Sequence, residues 1–122
     1  MKETYKFYKE IKTGKIFPVE NEKEIDKDNF IELKANTTDG AKEKHIPVYE
    51  KKQNQILVTI GSIEHPMTEE HYIKWIAMAT EQGIKIIDLN PQMPPKVTFE
   101  YQENSIIYAY CNLHGLWKKM IE

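Results

Sequence analysis

Cysteine is nearly missing from this chain: one residue, Cys111, in 122. A single thiol excludes an intramolecular disulfide, and it excludes a four-cysteine zinc or rubredoxin-type iron site. Long apolar runs are also missing, and none approaches the length needed to cross a bilayer. Neither sign of charge dominates, because 17 basic residues face 19 acidic ones for a net charge of −2. The lysines are interleaved with Glu and Asp, so the basic field that nucleic acid requires is absent. The first residues, Met1-Lys2-Glu3-Thr4-Tyr5-Lys6, are charged and lead into no apolar signal core. The expectation is a cytoplasmic protein with neither membrane nor nucleic acid as a partner. Repeats and low-complexity segments are lacking too. What is present, 40% hydrophobic and 30% charged residues, fits a soluble globular chain with room for one domain or one domain plus an appendage.

Residues 1–36 are polar and Lys/Glu-rich, with short β-like runs at Tyr5–Tyr8, Lys15–Val19 and Phe30–Leu33 and a turn at Thr13-Gly14. This is too little apolar material for an independent core, and it reads as a small β appendage. Residues 37–122 read as the main domain, and from about residue 41 onward its texture is that of a β protein. Ile46–Glu50, Gln55–Gly61, Gly83–Leu89, Val97–Tyr101 and Ser105–Tyr110 combine β-branched or aromatic residues with partial alternation. Their spacing predicts an all-β, antiparallel sandwich. Thr68–Gln82 reads two ways: Thr68 suits a helix N-cap, yet Tyr72–Ile76 equally suits a strand. The preferred reading is a helical turn at 68–72 running into a strand.

All four histidines and the cysteine fall in three short blocks: Glu43-Lys44-His45-Ile46-Pro47, His65-Pro66-Met67-Thr68-Glu69-Glu70-His71 and Cys111-Asn112-Leu113-His114-Gly115. The Cys-x-x-His pair puts a thiolate and an imidazole on one loop. Pro66 holds His65 extended, and the turn after it can return His71 to the same point. Alone, each residue has a bland reading, such as a packed thiol or a surface imidazole. Together they describe a metal site. Structural zinc takes four ligands, so five donors are one too many. Four nitrogens in a plane with a sulfur on the axis leave one open position, which suits iron acting on a small oxygen species.

The blocks AKEKHIPV, GSIEHPMTEEHYIKWI and YCNLHGLW resemble those of the desulfoferrodoxin/neelaredoxin family, the superoxide reductases. The resemblance covers about residues 36–122 and keeps the blocks in order. It implies an immunoglobulin-like antiparallel β-sandwich with one mononuclear non-haem iron per chain. His45, His65, His71 and His114 would be equatorial ligands and Cys111 the axial one. Glu43 would close the sixth position in the oxidised state, and Lys44 would be the cation beside the open site. The implied reaction joins superoxide, one electron and two protons into hydrogen peroxide, with a rubredoxin-like carrier as donor. A homodimer is implied as well.

Residues 1–36 resemble a desulforedoxin-like domain that has lost its metal. Glu10 and Thr13 stand where a Cys-x-x-Cys pair would fall, and Ile25 and Asp26 roughly where the second pair would. Trp75, Trp117, Tyr108 and Tyr110 read as packing residues, as do Met67 and Met120. Another class of function fits part of the pattern: a cupredoxin-like electron carrier using Cys111, His114 and an upstream His, with Met120 as weak axial ligand. It leaves two histidines unemployed. A zinc-binding module is the third possibility, and dismutation at the same iron differs from reduction only in stoichiometry.

Overall fold

The segment Gln55–Ile60 alternates exposed and buried positions, with Ile56, Val58 and Ile60 all fully buried. Period-2 burial of this kind marks a strand with one face on a core. The computed structural model describes residues 3–20 and 23–122, and it divides the chain into two compact units, Met1–Lys34 and Ala35–Glu122.

The first unit is a three-stranded antiparallel sheet of β1 (Tyr5–Glu10), β2 (Ile16–Glu20) and β3 (Phe30–Leu33), in the order β2-β1-β3. Gly14, at φ +76°, closes the first hairpin and donates its N–H to the Glu10 carbonyl at 2.8 Å. Thr13 donates its hydroxyl to the Glu10 carboxylate. Asp26 accepts from the Asp28 N–H at 2.9 Å and from the Asn29 side chain. Three of the four positions compared above with cysteine pairs, Glu10, Thr13 and Asp26, therefore hold their turns by hydrogen bonds.

The second unit holds β4 (Pro47–Lys52), β5 (Gln55–Ile60), β6 (Ile73–Thr80), β7 (Gly83–Asp88), β8 (Lys96–Glu100), β9 (Ile106–Cys111) and β10 (Gly115–Met120). They form a three-stranded sheet, β4-β5-β8, and a four-stranded one, β10-β9-β6-β7. Ile56, Val58 and Phe99 from the smaller sheet join Ile76, Met78, Ile107 and Ala109 from the larger in one buried cluster. This is the antiparallel sandwich expected, with the three-plus-four arrangement of an immunoglobulin-like fold.

Two local readings are corrected. Residues 68–72 are not helical. Thr68 and His71 exchange backbone hydrogen bonds at 3.0 and 3.2 Å, and the Thr68 hydroxyl accepts from the His71 N–H at 3.1 Å. The threonine side chain competes with a helix here, and pairing with β9 takes over from Ile73. Strand β10 was not signalled, because Lys118-Lys119 hide its alternation. Its register on β9 makes it a strand, running from Gly115 opposite Cys111 to Met120 opposite Ile106. Trp75, Tyr108, Tyr110 and Trp117 are buried, whereas Met120 is 39% exposed. Among the described residues no helix is long and apolar enough to cross a membrane.

Candidate metal centre

The three blocks meet at one end of the sandwich because each occupies a strand end or the loop beyond it. His45 closes the single helical turn α1 (Lys42–His45) ahead of β4. His65 and His71 lie in the β5–β6 connection, Cys111 ends β9, and His114 sits in the β9–β10 loop. The connection is tied to α1 by Ile63 N–H donating to the Glu43 carbonyl at 2.9 Å and Gly61 N–H to the Ile46 carbonyl at 3.2 Å. Gly61, at φ +87°, has room for no side chain: a Cβ would stand 2.7 Å from the Lys44 carbonyl oxygen.

The four imidazoles form the corners of a quadrilateral. Neighbouring centroids lie 4.6 Å apart for His45–His65, 4.6 Å for His65–His71, 5.0 Å for His71–His114 and 4.8 Å for His114–His45. Adjacent rings are steeply inclined, at 70° to 80°, while the diagonal pair His45–His71 is 6.2 Å apart and inclined by only 32°. Neighbouring rings thus meet edge to face rather than stacking on one another. Cys111 completes the set. One donor atom each from His45, His71, Cys111 and His114 lie within 4.8 Å of one another, and Cys111 Sγ is 3.9 Å from His114 Nδ1.

Hydrogen bonding fixes which nitrogen His45 and His65 offer. His45 Nδ1 donates to the Ala41 carbonyl at 2.7 Å, and His65 Nδ1 donates to the Pro66 carbonyl at 2.7 Å. Each Nε2 then carries a lone pair, and the two Nε2 atoms face each other at 3.1 Å. Burial lowers the pKa of both rings, that of His65 to about 4, so neither is cationic at neutral pH. Two lone pairs held face to face call for a cation between them. Nitrogens bound at about 2.1 Å to one ion and at right angles to each other lie about 3 Å apart, which matches. His71 Nε2 is buried without any hydrogen-bond partner, a third imidazole nitrogen of the cluster left unsatisfied. The Cys111 thiol is pushed up by burial, and the backbone N–H groups of Leu113 and His114 oppose this by hydrogen-bonding its sulfur. These donors fit a metal ion.

Of the residues singled out from sequence, His45, His71, His114 and Cys111 bring their donor atoms within 4.8 Å of one another, and His65 stands beside them with its Nε2 3.1 Å from that of His45. Lys44 and Glu43 are exposed on α1. The Lys44 charge still reaches the cluster and helps lower the pKa of His45 and His71, behind burial and the neighbouring imidazoles. The Glu43 carboxylate is not among the converging donors. Sequence reasoning missed the carbonyls of Ala41 and Pro66 as tautomer-setting acceptors. It also took Trp117 for packing alone, although this indole stacks on His45 and hydrogen-bonds the His114 carbonyl. The spacing of Trp117 three residues after His114 was the available signal. The cupredoxin-like alternative fails on topology, since Met120 pairs with Ile106 at the far end of the hairpin from Cys111.

The family model described as Desulfoferrodoxin matches residues 37–120. A desulfoferrodoxin from Clostridium acetobutylicum is 49% identical over 84 residues, covering 69% of this chain and 67% of its own length. A superoxide reductase from Thermococcus kodakarensis is 34% identical over 99 residues, covering 65% of this chain and 86% of its own. Among solved structures, the superoxide reductase from Treponema pallidum superposes with a TM-score of 0.75 at 32% identity, covering 93% of this chain and 98% of its own.

Proposed function

The chain belongs to the desulfoferrodoxin family, and on that premise we propose how its own residues carry out the one-electron reduction of superoxide to hydrogen peroxide. The observation that carries the reading is the quadrilateral of four imidazoles, three of which bring a donor nitrogen within 4.8 Å of one another and of the buried Cys111 thiol. Iron, when bound, would supply the electron that superoxide takes up; the two protons that complete hydrogen peroxide come from solvent. His45, His65, His71, His114 and Cys111 would hold the iron. The amides of Leu113 and His114, by hydrogen-bonding the Cys111 sulfur, temper how much electron density the thiolate donates.

Lys44 has two tasks in this reading. Its ammonium puts a local positive field at the mouth of a site in a chain of net charge −2, and so draws in a small anion. Its Nζ–H groups also orient a water that passes a proton to the product. Glu43, one residue earlier on the same helical turn, is the carboxylate that would serve as a further ligand in the oxidised protein. A rubredoxin-like carrier returns the electron. The protein works in the cytoplasm as a homodimer. Residues 1–36 are a desulforedoxin-like remnant without metal, a reading supported by the hydrogen bonds of Glu10, Thr13 and Asp26 in place of cysteine pairs.

The test is the yield of peroxide per superoxide consumed by iron-loaded, pre-reduced protein, with oxygen followed alongside. One peroxide per superoxide without oxygen release is expected. Half that yield with oxygen evolved would mean dismutation, and no consumption above background would remove the enzymatic reading.

A further inference from the structure

Beyond Cys111 the ladder between β9 and β6 stops. Its last pair is Ile73 with Cys111, and a bulge follows at once, because Trp75 pairs with Tyr110. The segment carrying His71 therefore has no strand pairing to hold it against the loop carrying Cys111 and His114. Asn112 fills that gap. Its Oδ1 accepts from the Tyr72 N–H at 3.0 Å, its Nδ2 donates to the Glu70 carbonyl at 2.9 Å, and its own N–H donates to the Tyr72 carbonyl at 3.2 Å. The two side-chain bonds land on the residues immediately before and after His71.

We infer that the carboxamide of Asn112 is a positioning group, which extends the broken ladder by two bonds and fixes the His71 segment against the Cys111–His114 loop. The inference rests on the reading of His71, Cys111 and His114 as metal ligands. A carboxamide suits the task because it presents one donor and one acceptor, as a peptide group does. Alanine supplies neither, and serine has only one short hydroxyl. Asn112 is half-buried at the rim rather than in the core, so its loss leaves the sandwich packing alone. The backbone bond from Asn112 to Tyr72 survives any substitution, which isolates the two side-chain bonds. Groups that orient ligands from behind change metal affinity by about 10- to 100-fold when removed.

The experiment titrates metal-free parent, Asn112→Ala and Asn112→Ser full-length protein with cobalt(II), following the thiolate-to-cobalt absorption, and records thermal unfolding of each metal-free form. Asn112→Ala is expected to bind cobalt about tenfold more weakly or worse, with a displaced or weakened thiolate band and an almost unchanged unfolding midpoint. Asn112→Ser should fall between it and the parent. Parent-like affinity and band in Asn112→Ala would overturn the inference. So would an affinity loss matched by a general loss of stability in the metal-free form. Absence of any thiolate band in the parent would instead overturn the ligand assignment beneath it, and the inference with it.

Discussion

The indole of Trp117 lies against the imidazole of His45, with centroids 4.8 Å apart and planes inclined by 24°, and its Nε1–H reaches the His114 carbonyl at 3.0 Å. One fully buried side chain thus backs two corners of the quadrilateral. Trp117→Phe keeps an aromatic face for His45 and loses the hydrogen bond, a cost of about 1 kcal/mol. Trp117→Ala leaves a cavity as well, and about 3–5 kcal/mol is expected from urea unfolding of the metal-free protein. If Trp117→Ala cost under 1 kcal/mol, the indole would not be supporting the site.

Cys111→Ser removes the only thiol. Iron-loaded Cys111→Ser should lose the visible thiolate-to-ferric absorption while retaining its fold, because serine is smaller than cysteine and fits the same space. An unchanged spectrum would sink the axial assignment.

Lys44 is exposed and is a more remote contributor to the lowered pKa of His45 and His71. Lys44→Ile should slow the encounter of pre-reduced protein with superoxide by about tenfold at low salt and flatten its ionic-strength dependence. If rate and salt slope both matched the parent in pulse radiolysis, Lys44 would be a surface residue with no part in steering.

The His65 ring makes the metal-free protein acid-sensitive. Its folded pKa is pushed down to about 4 by burial, from an ordinary value of 6.5. The stabilisation is complete above pH 6.5, where the ring is neutral in both states. Between 6.5 and about 4 the unfolded chain takes up a proton that the folded ring refuses, so stability falls with pH. His45 and His71 are shifted in the same direction and add to the effect. The urea midpoint of metal-stripped protein should therefore drop from pH 7 to pH 5, and His65→Gln should weaken that dependence. A midpoint level across this range would contradict the burial of neutral imidazoles.

Much of this site was legible in the sequence because its ligands are rare residues gathered in short blocks. The four histidines and Cys111 needed no structure to be grouped, and the alternation of Gln55–Ile60 showed the sandwich face directly. What stayed hidden depends on contacts across the chain. Strand β10 exists through its pairing with β9, and Thr68 closes a turn rather than capping a helix because His71 returns its hydrogen bonds. The carbonyls of Ala41 and Pro66 belong to residues without side-chain donors, so no residue pattern announces their part in fixing the tautomers.

Gly61 shows how strictly the backbone joins two of the blocks. It sits at φ +87°, and a Cβ there would lie 2.3 Å from the Ile63 carbonyl oxygen and 2.7 Å from that of Lys44. Both neighbours are backbone atoms, and both belong to segments carrying a ligand, His65 on one side and His45 on the other. No side-chain rotation relieves the clash, so the two segments must separate. Gly61→Ala should cost about 1–3 kcal/mol from the strained φ alone, and more from the steric contact. The 3.1 Å approach of the two Nε2 atoms depends on that closeness. Cobalt affinity should therefore fall further in Gly61→Ala than in an equally destabilised core variant such as Val58→Ala, measured under conditions where both are fully folded. Equal losses in the two variants would mean that the glycine serves the fold and not the metal.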